Sequence, residues 1–170
     1  RPMLTELEKK VIAAIQGDIP ICERPYQALA ERIGTDYITI SPQKTNLFPN
    51  AIEVLEYLFQ MYPLHIITNG FEEVQFNKLR NSKLDRYFKH VITSEAAGCK
   101  KPDRRIFEYA LKQIGADAAD CLMIGDDYEV DIIGATDAGI DAVYFNPKRL
   151  AHNGKLLHEI IDLIELRELL

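Results

Sequence analysis

From Pro49 onward, short apolar runs alternate with amphipathic stretches, and this alternation sets the rhythm of the chain. Ala51 to Tyr62 repeats its apolar positions at helical spacing, and Leu64-His65-Ile66-Ile67-Thr68 reads as a strand. The pattern then predicts a helix over Phe71 to Asn81, a strand over His90 to Thr93 and a helix over Arg104 to Ile114. A strand over Cys121 to Ile124, a helix over Tyr128 to Ala138 and a strand over Ala142 to Phe145 follow, and an apolar helix near Ile161 to Leu169 closes the chain. Strands that alternate with helices imply right-handed crossovers and a parallel sheet covered on both faces. The near-continuous apolar character of Leu64 to Ile67 and Cys121 to Ile124 is that of strands buried on both sides. The predicted fold class is α/β, a three-layer α/β/α sandwich.

Upstream of residue 48 the pattern changes. Leu4, Leu7, Val11, Ile12 and Ile15 recur at helical spacing, and after a break between Pro20 and Pro25 the segment Tyr26 to Ile33 reads as a second helix. Thr35 to Ser41 alternates like a strand but also fits a continuing helix, and the pattern leaves both open. This front part is expected to be helical.

Composition narrows the function classes. A chain of 170 residues buries roughly 70% of its unfolded surface, enough for one core and an appendage. Its 47% hydrophobic and 27% charged fractions are those of a soluble globular protein. The net charge of −6 with scattered Lys and Arg offers no footprint for nucleic acid, and no apolar run has the length of a membrane span. Cys22, Cys99 and Cys121 are odd in number and far apart, which gives neither a disulfide framework nor a zinc site and fits a reducing cytoplasm. Cys121, inside an apolar strand, reads as a small hydrophobe.

Three strand-to-helix turns carry chemistry. In Met123-Ile124-Gly125-Asp126-Asp127-Tyr128-Glu129-Val130-Asp131, three aspartates gather where a strand ends and a helix begins. Open α/β sheets bind ligands beyond the carboxyl ends of their strands, and clustered hard oxygens there suit magnesium. One helix cap needs one aspartate, and this turn holds two with a third one helical turn on. The turn Ile66-Ile67-Thr68-Asn69-Gly70 places a hydroxyl, an amide and a permissive glycine where a phosphate oxygen can be held, although Thr, Asn and Gly are also ordinary turn residues. In Gly98-Cys99-Lys100-Lys101-Pro102-Asp103, the Pro-Asp pair marks a helix start and fixes the backbone just after Lys101. Lys101 therefore reads as a cation delivered to the same crevice, and Lys100 as a solvated loop residue.

Together these turns resemble the haloacid dehalogenase-like superfamily of phosphohydrolases, over about residues 48 to 170. The resemblance implies that Thr68 binds the transferring phosphoryl group, that Lys101 neutralises its charge, and that Asp126 and Asp131 hold Mg2+. It also implies a Rossmann-like core bearing an α-helical cap, with residues 1–47 as the rear part of that cap and 48–170 as the core. The wording around the motifs looks most like the cytoplasmic nucleotidase-like phosphatases, so phosphorylated metabolites such as nucleoside monophosphates are the implied substrates, with sugar phosphates close behind. Asn69 and Gly70 are expected to add backbone amides to the phosphate site. Asp131 has a second reading as the acidic partner that orients Lys101. Asp127 stays open between orienting a metal-bound water and capping the Tyr128 helix. His65 reads as a packed core histidine, and Phe71, Phe76 and Tyr128 as helix-face packing residues that also qualify as pocket walls.

The resemblance has one gap. The family's first motif, an Asp-x-Asp at the end of a central strand, supplies the nucleophile, and none stands upstream of Thr68. Asp18 and Asp36 lack a preceding apolar strand. The expectation is a core without its first strand, in the back portion of a longer protein that attacks phosphorus through an upstream aspartate and forms an aspartyl-phosphate. A phosphomutase of the same fold and an inactive binding module are the alternatives. A receiver domain reverses the order of acids and lysine found here, and a true dehalogenase leaves the acids of 126–131 without a purpose.

Overall fold

The computed structural model describes residues 10–13, 47–154 and 158–170, with side chains from residue 47 onward. The described strands form one sheet, all parallel, in the order β3-β2-β1-β4-β5-β6. The strands are β1 (Lys10–Ala13), β2 (Leu64–Thr68), β3 (Phe88–Thr93), β4 (Cys121–Gly125), β5 (Asp141–Phe145) and β6 (His158–Ile160). Helix α1 (Ala51–Met61) precedes β2, α2 (Glu72–Asn81) follows it, and α3 (Ser94–Ala97) and α4 (Arg104–Ile114) lead from β3 to β4. A π-helical turn, Tyr128–Ile133, runs into α5 (Gly134–Asp137) after β4, and α6 (Leu166–Leu169) ends the chain.

Period-two alternation explains why two cores form. Leu64 and Ile66 of β2, Leu122 and Ile124 of β4, and Val143 and Phe145 of β5 face α1, Leu163 and Leu166. Their neighbours Ile67, Met123, Cys121 and Tyr144 face the other way, against Ile106, Phe107 and Ala110 of α4 and Ile132 and Ala135. Each sheet face is therefore sealed, as an all-parallel sheet requires. Cys121 is fully buried in this second core, as a small hydrophobe should be. His65 is buried too, with its ring stacked on that of His90 at 5.2 Å.

Two corrections arise. Lys10–Ala13 is not helical: it pairs with β2 at Ile12 and with β4 along its length, in the sheet's central position. The core thus does not lack a strand at that position, and the strand lies inside the segment 1–47 assigned to the cap. The physical reason is that β2 and β4 each carry a ladder of backbone donors and acceptors that burial makes costly to leave unpaired. Lys10-Val11-Ile12-Ala13 is too short for its period to distinguish strand from helix, and its β-branched pair favours the strand. In sequence β1 is followed by Ala14-Ile15-Gln16-Gly17-Asp18. Secondly, the closing helix near Ile161 to Leu169 is shorter than predicted. The edge strand β6 ends at Ile160 just before it, and the segment itself holds an Asp162–Glu165 capping box and the short α6. The helices predicted before residue 10 and over Tyr26 to Ile33, the segment Thr35 to Ser41, and Cys22, Asp18 and Asp36 lie outside the described residues.

Candidate functional site

Thr68 is the last residue of β2 and Asp126 directly follows β4, so both stand at the carboxyl rim of the sheet, on either side of β1. A chain of hydrogen bonds ties the three turns together there. The Asn69 side chain accepts from the Lys101 backbone N–H at 2.7 Å and donates to the Lys101 carbonyl at 3.0 Å. Asn69 thus works as a two-point clamp on the lysine loop, a role its sequence position does not announce. The Lys101 ammonium in turn meets Oδ1 of Asp131 at 2.5 Å, with both side chains fully buried. Oδ2 of Asp131 accepts from the backbone N–H of Asp127 at 3.2 Å.

Local sequence explains this convergence. Asp103 caps α4 by accepting from the Arg105 N–H at 2.9 Å, which fixes the helix start after Lys101. Gly125 leaves room for Asp131, since a Cβ there would overlap the Asp131 Cβ and stand 2.7 Å from its Oδ2. Gly134 lets the next turn approach the lysine loop, because a Cβ there would lie 3.0 Å from the Pro102 Cα and 2.8 Å from the Phe107 ring. The π turn carries the aspartates: the N–H groups of Asp131 and Ile132 both bond the Asp127 carbonyl, at 2.9 and 3.3 Å.

The predicted residues divide by what engages them. Asp127 accepts from the Val130 N–H at 2.9 Å, so the capping half of its two readings is present in the geometry. Of the two readings of Asp131, the ion pair with Lys101 is the one seen, and both of its oxygens are engaged. The Thr68 hydroxyl is buried and accepts from the Gly70 N–H at 3.1 Å. That leaves the Thr68 hydroxyl proton to donate and spends the Gly70 amide within its own turn. Lys100 is exposed, as a solvated loop residue should be, beside the buried Lys101. Phe71 is exposed, Phe76 lines a separate shallow cleft with Glu72 and Arg80, and Tyr128 packs on Tyr144.

Asp126 is the carboxylate with capacity left. Its Oδ1 is buried and accepts no hydrogen bond. Burial, and then the charge of Asp131, pushes its carboxyl up to about 7, while Lys101 pulls weakly the other way. A buried oxygen in that position calls for a proton or a cation. Among the described residues no group of three or more His, Cys, Asp or Glu side chains converges as a metal cage. One free carboxylate at an open rim instead fits Mg2+, which takes one or two protein carboxylates and keeps waters or phosphate oxygens.

Sequence reasoning missed the neighbouring aromatic corner, where Tyr128, Tyr144 and His152 pack together at ring separations of 4.7 to 5.6 Å. Burial, Glu159, Asp127 and Asp126 together push the Tyr144 phenol above its ordinary range. His152 comes from the loop after β5, where no periodic signal points.

Comparison with known proteins places the chain in a family. The pyrimidine 5'-nucleotidase YjjG of Escherichia coli is 29% identical over 154 residues, covering 86% of this chain and 67% of that protein. A glyceraldehyde 3-phosphate phosphatase of Methanothermobacter thermautotrophicus is 34% identical over 131 residues, covering 72% and 58%. YfnB of Bacillus subtilis, whose crystal structure is described as bound to magnesium, superposes with a TM-score of 0.75 at 30% identity, covering 84% of this chain and 68% of that one. The chain spans about three fifths of the curated relatives' lengths, 61% for YfnB and 58% for the phosphatase. The family profile for the haloacid dehalogenase-like hydrolases matches residues 7–145, most of the chain, and the chain belongs to that family.

Proposed function

We propose that this chain forms the cation- and phosphate-binding part of a magnesium-dependent phosphomonoester hydrolase for small phosphorylated metabolites. The observation that supports it best is the continuous bridge Asn69–Lys101–Asp131–Asp127, which draws three turns to one rim beside the uncommitted oxygen of Asp126. Asp126 would hold the Mg2+, with Asp131 able to join only by sharing an oxygen with Lys101. Bound there, Mg2+ supplies positive charge against phosphoryl oxygens and the incoming nucleophile. The chain's own residues do the rest. Thr68 donates its hydroxyl proton to a phosphoryl oxygen, with the Asn69 backbone beside it. Lys101, held rigid by Asp131 and the Asn69 clamp, offsets the remaining negative charge. Phosphoryl transfer rests mainly on such positioning and charge neutralisation.

The aspartyl-phosphate route takes a nucleophilic carboxylate at the end of the central strand, where the sequence of this chain has Ala13 and Ala14. On this reading the chain as written binds phosphate and monoesters without turning them over. The partial helical cap expected within residues 1–47 and a reducing cytoplasmic setting belong to the same reading. Among the described residues, no helix is long and apolar enough to cross a membrane.

Titration calorimetry with Mg2+ and inorganic phosphate tests it. Phosphate binding should need Mg2+, Asp126→Asn should abolish Mg2+ uptake, and Thr68→Val should weaken phosphate. A folded chain that takes up neither ion would overturn the proposal.

A further inference from the structure

The cleft that opens beside Asp126 and Asp127 has a second wall that the phosphoryl site does not use. Its volume is ≈ 580 Å³, and its far side is built by Tyr128, Tyr144, Leu150, His152 and Asn153. The rings of Tyr128 and His152 stack at 4.7 Å, and Tyr144 meets both edge-on. Gly154 makes this packing feasible, since a Cβ there would collide with the Tyr128 hydroxyl.

The loop that carries His152 is tied down at several points. The Asn146 amide donates to the Leu150 carbonyl at 2.9 Å and to Glu159 at 2.7 Å, and its oxygen accepts from the Leu150 N–H at 2.8 Å. Glu159 lies 3.3 Å from Nε2 of His152. The Asn146 hydrogen bond, then that of His152, holds the Glu159 carboxyl below its usual range. His152 Nδ1 is buried with no hydrogen-bond partner. A wall this well anchored is pre-formed, as ligand subsites usually are.

Its charge is one-sided. Asp126, Asp127 and Glu129 line the cleft, and no Lys or Arg does so among the described residues. Beyond the Mg2+ that Asp126 would hold for the phosphoryl group, an anionic substituent placed there would find carboxylates and no cationic side chain among the described residues, whereas hydroxyl groups would find acceptors and aromatic faces. We propose that this cleft is the subsite for the organic part of a phosphomonoester, and that it selects an uncharged, hydroxylated group over one carrying a second phosphate or a carboxylate. This rests on the phosphomonoester reading above and adds the substrate class to it.

Calorimetry on the full chain at saturating Mg2+ tests it with three probes: inorganic phosphate, glycerol 3-phosphate and 3-phosphoglycerate. Glycerol 3-phosphate should bind at least about tenfold tighter than 3-phosphoglycerate. His152→Ala and Tyr144→Phe should weaken glycerol 3-phosphate while leaving inorganic phosphate within about twofold, which also shows that the rim is still folded. Asn153 is exposed, so Asn153→Lys leaves the packing intact, and it should tighten 3-phosphoglycerate about tenfold by supplying the missing cation. Phosphate binding with no preference between the two esters, or with no response to any of these substitutions, would overturn the inference alone. No phosphate binding at all would remove the phosphomonoester reading, and this inference with it.

Discussion

The ammonium of Lys101 stands 2.5 Å from Oδ1 of Asp131, and neither side chain has any exposed surface. In such a dry setting each charge depends on the other, and the two are held where β2, the lysine loop and the π turn meet. Removing one partner strands an uncompensated charge, so Lys101→Met or Asp131→Leu should each lose about 3–5 kcal/mol of stability. The double variant Lys101→Met/Asp131→Leu should lose clearly less than the sum, since no charge is left unpaired. Urea unfolding measures all three, provided the slope is unchanged. Single variants as stable as the parent would show that the pair is not the brace of this rim.

Asp126 predicts how stability responds to pH without added metal. Its carboxyl is raised from 3.8 to about 7 in the folded chain, chiefly by burial. A raised pKa means that the folded state holds this proton more tightly than the unfolded state. The contribution is therefore complete below the unfolded value and is lost as pH climbs toward 7. At full extent it is on the order of 4 kcal/mol. In EDTA, the urea midpoint should fall between pH 4 and pH 7.5, and Asp126→Asn should flatten that fall. A parent and variant with parallel pH profiles would place the proton elsewhere.

Most of the sheet was legible because its strands are buried on both sides. The runs at Leu64 and Cys121 match β2 and β4, and the helix over Arg104 to Ile114 coincides with α4. β3 begins two residues earlier than its apolar core, because Phe88 to His90 lie on a partly exposed edge strand. β6 was missed because three residues, His-Glu-Ile, carry no period. At the rim, the pattern put Thr68 and Asp126 at strand ends and Lys101 just before a helix start, while their roles came from the family resemblance. The Asn69 clamp could not be read this way, since it joins an amide to a backbone 32 residues away. The aromatic corner of Tyr128, Tyr144 and His152 depends in the same way on how one loop folds back.

Two glycines give a steric test of the same rim. Gly125→Ala pushes a methyl into the Asp131 side chain, which is walled in by Lys101 and the Asp127 N–H. Gly134→Ala pushes one into Pro102 and the Phe107 ring. Overpacking of this kind costs about 1–3 kcal/mol. The two variants should differ in binding: Gly125→Ala should weaken Mg2+ and phosphate more strongly, because it displaces the lysine's partner directly. Thermal unfolding and calorimetry on each variant check this. A Gly125→Ala chain with parental stability would mean that Asp131 has room the structure does not give it.

Asp127 separates capping from chemistry. Its carboxylate accepts the Val130 N–H at 2.9 Å, in the position of a helix N-cap. Losing such a cap costs about 0.5–2 kcal/mol, and Asn or Ser restores most of it. Asp127→Ala should therefore destabilise the chain by about that amount, while Asp127→Asn stays close to the parent. If capping is its whole role, Mg2+ affinity should be the same in Asp127→Asn as in the parent. A stable Asp127→Asn chain that binds Mg2+ about tenfold more weakly would instead give the carboxylate charge a part in holding the hydrated ion. The two measurements are independent, because the amide keeps the cap's acceptor oxygen while removing its charge.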